Sequence, residues 1–471
     1  MRLIPIYTWN KSLKKFGNKT IKLSNQPWFQ GVLLLLCVVV AMLLANLTFT
    51  KDLYRDFLET SLQFHMTSPD GRIDILFPRD MTAEKFINDI LMVIFFFTVG
   101  LEIKREIAYG ELSSVKKALL PVIAAFGGVA VPALIFAAVN HGTAAASGWG
   151  IPTATDIAFA VCILSVLGDK VPVSLKVFLT ALAIADDLIA ILVVAIFYGG
   201  QINLVLLAVA FLVIAFTLLL RQIGEKHIAV YVALAVIVWV LFYYSGIHAT
   251  MSGVVMAFLI PTTPRYSKAY FMHKRAYYNK EIDKWNGEVP GANFPNGPQR
   301  HYLRELHKIA QGSMDMSYRV EHALSPWVNF LIMPVFALAN AGVEITDLSY
   351  FNIFQFDPAL GGVSLGIFLG LLLGKPLGIT LASLIAIKAK VGAMPAKATW
   401  KMFFAVACLG GIGFTMSIFV DTLSFGDQPQ EVIQHLRDAG KIAVLMGSIC
   451  AGILGCILIN LFYKAEHRKS A

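Results

Sequence analysis

The chain has 471 residues, of which 57% are hydrophobic and only 15% charged, and its mean hydropathy is +0.67. A soluble protein carries about 25% charged residues, so most of this chain is solvated by lipid. The formal charge of +9 is no nucleic-acid signature, because Lys and Arg fall between apolar runs rather than along one soluble face.

Residues 1–27 contain Trp9 and five lysines (Lys11, Lys14, Lys15, Lys19, Lys22). This stretch is too long and polar for a secretory signal peptide and predicts a cytoplasmic tail. Apolar runs long enough to cross about 30 Å of hydrocarbon follow. They are continuous rather than alternating, which predicts helices and not membrane strands. Twelve spans are predicted near 29–49, 84–103, 118–140, 150–167, 173–198, 203–220, 228–244, 247–261, 323–342, 361–387, 402–420 and 440–462.

Spans one to eight thus occupy residues 28–261 and spans nine to twelve residues 323–462, with a short tail at 463–471. The polar segment 50–83 contains alternating pieces such as Ile73-Asp74-Ile75-Leu76, which predict a hairpin outside the membrane. Residues 262–322 form a long insert with a Pro/Gly-rich middle from Pro290 to Pro298. Its second half, around Tyr302–Ile309, has apolar residues at helical spacing.

Orientation follows from the bias of Lys and Arg in short loops. With the N-terminus inside, the inside connections hold Lys104, Arg105, Lys116, Lys117, Lys170, Arg221, Lys226, Lys388, Lys390 and Lys397. The outside connections at 199–202, 244–246 and 343–360 hold no Lys or Arg, and 421–439 is acidic overall. Both termini and the insert are therefore expected in the cytoplasm, with the protein multi-pass in a bacterial inner membrane.

Asp186 and Asp187 lie near the middle of the fifth span. A central Asp costs roughly 2.5–3.5 kcal/mol on insertion scales, so neighbouring ones are not incidental. Adjacent buried carboxylates cannot both stay bare in a low dielectric, and they titrate as a unit. Protons and hard cations, which favour oxygen ligands, then compete for the same charge. Exchange of one for the other needs no further energy source.

Lys375, in Gly374-Lys375-Pro376, is the deep cation of the tenth span. It is not a phosphate-binding lysine, because Pro376 replaces the required Ser or Thr. It is expected to pair with an acid or offset a negative helix end. The fourth span carries Pro152, Thr155 and Asp156, and the eleventh carries Gly410, Gly411 and Gly413. Such paired interruptions mark the broken helices of an alternating-access transporter built from inverted repeats. Spans three to five and ten to twelve would be the two copies. Asp89 is a further acid within the second span. No catalytic or metal-ligand constellation appears, and the five cysteines sit singly in apolar runs, so an enzyme is not expected.

These segments resemble the NhaA family of bacterial sodium/proton antiporters. The resemblance rests on Val99-Gly100-Leu101-Glu102-Ile103-Lys104-Arg105-Glu106, Ala154-Thr155-Asp156-Ile157-Ala158-Phe159-Ala160, Ala183-Ile184-Ala185-Asp186-Asp187-Leu188, Ser245-Gly246-Ile247-His248-Ala249-Thr250, Gly374-Lys375-Pro376-Leu377-Gly378 and Gly411-Ile412-Gly413-Phe414-Thr415-Met416-Ser417, in family order.

The resemblance implies an all-helical, twelve-span fold with interrupted fourth and eleventh helices. It implies Asp186 and Asp187 as carriers of Na+ (and Li+) and H+, with Thr155 lining their site. Asp156 and Lys375 would offset the ends of the broken helices, and Lys375 would also pair with Asp186. Glu102 and Glu321 would form a cytoplasmic entrance that senses pH, and His248 matches a position linked to pH response. Electrogenic exchange without a cofactor is implied, as is a homodimer joined through the outside hairpin. The chain departs from the family pattern in its long insert, its long 50–83 segment and Ser325, which stands where a His is sometimes found. The alternatives are proton-coupled exchange of K+ or another ion on the same fold, and a membrane scaffold whose insert binds a partner.

Overall fold

The computed structural model describes residues 27–62, 64–67, 74–77, 81–200, 202–284, 297–345, 351–426 and 428–470. The N-terminal tail and most of the Pro/Gly-rich middle of the insert lie outside the described residues. Helix α1 (Pro27–Asn46) crosses first, followed by the short amphipathic α2 (Lys51–Glu59). The predicted hairpin is present as antiparallel strands β1 (Phe64–Thr67) and β2 (Asp74–Phe77), with Phe64 opposite Phe77.

Helices α3 (Ala83–Tyr109) and α4 (Val115–Val139) come next. A broken span follows, made of a 3-10 helix (Ala144–Thr153) and α5 (Ile157–Leu167). Then come α6 (Val173–Phe197), α7 (Leu204–Ile223), α8 (Ile228–Ser245) and the nine-residue α9 (Met251–Leu259). The insert contributes α10 (Lys268–Lys284) and α11 (Gly297–Gly312), which pack as a helical hairpin with Tyr278 against Tyr302. The remaining elements are α12 (Met316–Asn340), α13 (Val363–Lys388), a second broken span of α14 (Trp400–Leu409) and α15 (Phe414–Ser424), and α16 (Gln430–Ser470).

Among the described residues nine helices are long and apolar enough to cross a membrane, and the bent pairs bring the number to eleven. The short α9 stands where the eighth predicted span lies. Three boundaries differ from expectation. Helix α12 begins at Met316, seven residues before the predicted ninth span, because Asp315 caps it by accepting a hydrogen bond from the Tyr318 N–H (2.6 Å). Helix α16 begins ten residues before the predicted twelfth span. Helix α3 continues beyond the predicted loop residue Lys104, which is buried instead. Its ammonium donates to the carbonyls of Ala257 (3.2 Å), Phe258 (2.8 Å) and Ile260, and so caps the C-terminus of α9. A cation there is favoured by the helix dipole.

Burial separates a core from a rim. The hydrophobic stretch of α6 is 72% buried, whereas that of α7 is 11% buried. A helix that is apolar all round and enclosed by others belongs at the centre of a bundle, and α6 runs without a gap from Ala181 to Asp187 with every side chain buried. Helices α4 and α13 cross backbone to backbone. A Cβ placed on Gly378 would lie 2.1 Å from the Gly127 carbonyl oxygen, and one on Gly127 would lie 2.5 Å from that of Gly378. This small-residue crossing brings α13, and with it Lys375, up to the centre. Substituting Gly378→Ala is expected to destabilise the fold by about 1–3 kcal/mol, which thermal unfolding of the purified protein would register as a lowered midpoint.

Candidate functional site

Each broken span has the same plan: a ten-residue helix, a short break and an eleven-residue helix. The bends are 40° and 52°. In the first, Pro152 lacks the N–H that would continue the ladder, and Ala154 is already extended. In the second, a glycine cluster does the work. A Cβ on Gly411 would lie 2.3 Å from the Leu371 carbonyl oxygen, so only glycine lets α13 pass this closely. Phe414, the first residue of α15, has a φ of +24°, a strained value of the kind held at functional breaks.

The two breaks are bonded to each other. The Asp156 N–H donates to the Ile412 carbonyl (2.7 Å), and the Thr155 hydroxyl donates to the Gly410 carbonyl (2.8 Å). Four helix ends therefore meet in one place, two positive and two negative. Asp156 serves both positive ends. Its Oδ1 accepts from the Phe159 N–H of α5 (3.2 Å), while Oδ2 accepts from the Thr415 N–H of α15 (3.1 Å) and from the Thr415 hydroxyl. The Ser448 hydroxyl of α16 accepts the N–H groups of Gly413 and Phe414, both at 3.2 Å.

Lys375 serves the opposite charge. A π turn over Gly370–Gly374 precedes it, next to Pro376, which has no N–H to give. Such turns often mark functional positions in helices. The fully buried ammonium donates to the Thr155 Oγ1 (2.8 Å) and forms an ion pair with Asp186 Oδ2. Thr155 in turn donates to Gly410, just past the end of α14. The lysine thus reaches the negative helix end through a hydroxyl, not by direct contact with a carbonyl.

Asp186 and Asp187 are 1% and 3% exposed, so both carboxylates are withdrawn from bulk solvent. Asp186 shares its charge with Lys375, but its Oδ1 has no hydrogen-bond partner. Asp187 Oδ1 is likewise buried and unpartnered. The site holds two carboxylates and one cation, with free oxygens beside hydroxyls. That is a place for one more positive charge, because a bare buried carboxylate is costly.

Glu102 and Glu321 come together about Arg105. The guanidinium bonds Glu321 Oε1 directly, Glu106 at 3.3 Å, and lies 3.7 Å from Glu102. Glu321 Oε2 remains buried and unpartnered. His248 is not with them. It sits before the N-terminus of α9, at the end opposite the Lys104 cap, with Nδ1 3.0 Å from the Thr250 hydroxyl and its ring 5.8 Å from that of Phe419. This places it at the other end of α9 from the group around Arg105. Asp89 lies in a π turn of α3, beside the reciprocal Asn88–Asn340 amide pair, away from the crossing.

The sequence reading passed over four residues. Arg105 was counted only as a loop charge. Thr415 and Ser448 were hidden because hydroxyls inside apolar runs carry no signal of their own. Asp421, assigned to an outside connection, is fully buried in α15. Its clue was its place four residues after Ser417, on the same helix face.

Removing Lys375 leaves Asp186 as an uncompensated buried charge. Lys375→Met is expected to lose about 3–5 kcal/mol, and Lys375→Arg much less, as measured by thermal unfolding. Asp156→Ala removes the acceptor of two helix starts and is expected to cost about 1–4 kcal/mol, at roughly 0.5–2 per cap, read in the same assay.

Residues 22–459 match the family described as Na+/H+ antiporter 1. The Na(+)/H(+) antiporter NhaA of Oleidesulfovibrio alaskensis is 41% identical over 388 residues, covering 82% of this chain and 83% of that protein. The Na(+)/H(+) antiporter NhaA of Sulfurimonas denitrificans is 38% identical over 460 residues, covering 98% and 99%. One from Escherichia coli O1:K1 / APEC is 38% identical over 426 residues, covering 90% and 93%. With its crossed broken spans, buried acid pair and match over nearly its whole length, this multi-pass membrane chain belongs to the Na+/H+ antiporter 1 family.

Proposed function

We propose that this sodium/proton antiporter carries its ions on Asp187 and Asp186, exporting Na+ (and Li+) against an inward flow of H+. The observation that supports this reading is the excess of buried negative charge at the crossing: two adjacent carboxylates, one lysine, and an unpartnered oxygen on each acid. A Na+ or a proton balances the site, but not both fully at once, and competition couples the two flows. Asp187 has no bonded cation of its own and is the primary Na+ ligand. Asp186 exchanges between Lys375 and the transported ion, and Thr155, already bonded to Lys375, lines the site. Exchange of more than one proton per Na+ makes the cycle electrogenic.

In this reading residues 1–27, the insert 262–322 and the C-terminal tail face the cytoplasm of an inner membrane, following the bias of Lys and Arg. The cluster of Glu102, Arg105, Glu106 and Glu321 at the cytoplasmic end of α3 then forms the pH-responsive entrance. A homodimer joined through the β1–β2 hairpin belongs to the same reading, and no cofactor is required.

The test is sodium-driven collapse of an imposed ΔpH in proteoliposomes. Asp187→Asn is expected to abolish the collapse while leaving membrane insertion and folding intact, and Asp186→Asn to reduce it severely. Near-normal exchange in Asp187→Asn would sink the carrier assignment. Equal collapse with K+ would replace Na+ as the cargo.

A further inference from the structure

The central site does not use every buried acid. Asp421 in α15 is 0% exposed, and both of its carboxylate oxygens lack a hydrogen-bond partner. Four residues earlier on the same helix face, the Ser417 hydroxyl is also fully buried and unpartnered. The helix that carries them starts at the crossing, where Thr415 bonds Asp156. Asp421 lies about 9 Å further along the axis, at 1.5 Å per residue.

Helix α16 is shaped around this carboxylate. It presents Gly440, where a Cβ would fall 2.0 Å from Asp421 Oδ1. The notch admits the acid but gives it no bond. The charged groups that face it are Arg437, Asp438 and Lys441 from α16, with Tyr198 beyond the end of α6. Arg437 directs one guanidinium nitrogen to the Thr422 carbonyl and leaves its buried Nε unpartnered. A carboxylate kept only to brace the helices would bond Arg437, since an unpaired buried charge is costly. An ionisable side chain held unbonded at membrane depth is instead suited to pass ions.

We propose that Asp421 is a further cation- and proton-exchanging carboxylate, a way station between the central acid pair and the outer face. Its ligands are the same hard monovalent cation and proton, taken up beside Ser417 as they leave or enter the centre. Arg437, about one helical turn before Gly440, and Lys441, directly after it, stand as competing cations and keep the carboxylate from trapping Na+. This rests on the antiport reading above, and the experiment separates the two.

Right-side-out and everted membrane vesicles expose the outer and inner faces to added Na+ in turn. Asp421→Asn is expected to raise the half-saturating Na+ about tenfold at the outer face, the worth of one modest charge contact, and to leave the inner-face value unchanged. Asp421→Glu should recover part of the shift. In the wild-type protein, dicyclohexylcarbodiimide is expected to label the peptide containing Asp421, and Na+ to protect it, by mass spectrometry. The labelling needs no variant, so it decides the question even where Asp421→Asn folds poorly. Labelling that is absent or indifferent to Na+, or equal Na+ values at both faces, overturns the way station. If wild type shows no sodium-driven exchange, the antiport reading itself fails. If exchange is intact and only these Asp421 outcomes are missing, the way station alone fails.

Discussion

The structure turns on compensating charge where two broken helices cross. Breaking a helix in a membrane leaves unpaired N–H and C=O groups with no water to satisfy them. Asp156 gathers the N–H groups of α5 and α15, and Lys375 reaches the carbonyl end of α14 through Thr155. Neither helix end could be left without its partner. The crossing is therefore a single electrostatic unit made from four chain segments that are far apart in sequence.

That unit also sets the chemistry beside it. Lys375 is shared between holding the crossing and pairing with Asp186. One cation so divided cannot neutralise two adjacent acids, and Asp187 is left with an open oxygen. The stabilising network and the acid pair proposed to carry the ions thus share Lys375. In the proposed function, an ion that binds the acids competes with Lys375 for Asp186 and so alters the forces holding the helices, the kind of coupling that alternating access requires.

Packing supplies the rest. Gly127, Gly378 and Gly411 let α13 approach α4 and the second break closely enough for Lys375 to reach Thr155. Aromatic rings fill the space around the crossing, with Phe159 against Phe414 at 4.5 Å and Phe419 between Phe96 and Phe336. Lys104 caps the end of α9, whose short length leaves its terminal carbonyls within the bundle.

Much of this was readable from the chain. Apolar runs and the bias of Lys and Arg revealed the spans, because lipid penalises every exposed charge and peptide group. Asp186, Asp187 and Lys375 stood out for the same reason, and Pro152 and the glycines of 410–413 announced the breaks. The hairpin of β1 and β2 showed in its alternation. Hydroxyl partners such as Thr415 and Ser448 did not, since a Ser or Thr costs little in an apolar run and so leaves no mark. Lys104 and Asp421 were misplaced because both lie near span ends, where composition cannot tell a loop from a last helical turn. The separation of His248 from Glu102 and Glu321 likewise depends on which end of α9 each approaches. The sequence by itself determined which groups are expensive to bury. Only the tertiary structure decided which of them meet, because the pairs that meet are hundreds of residues apart and are selected by helix crossing rather than by local spacing.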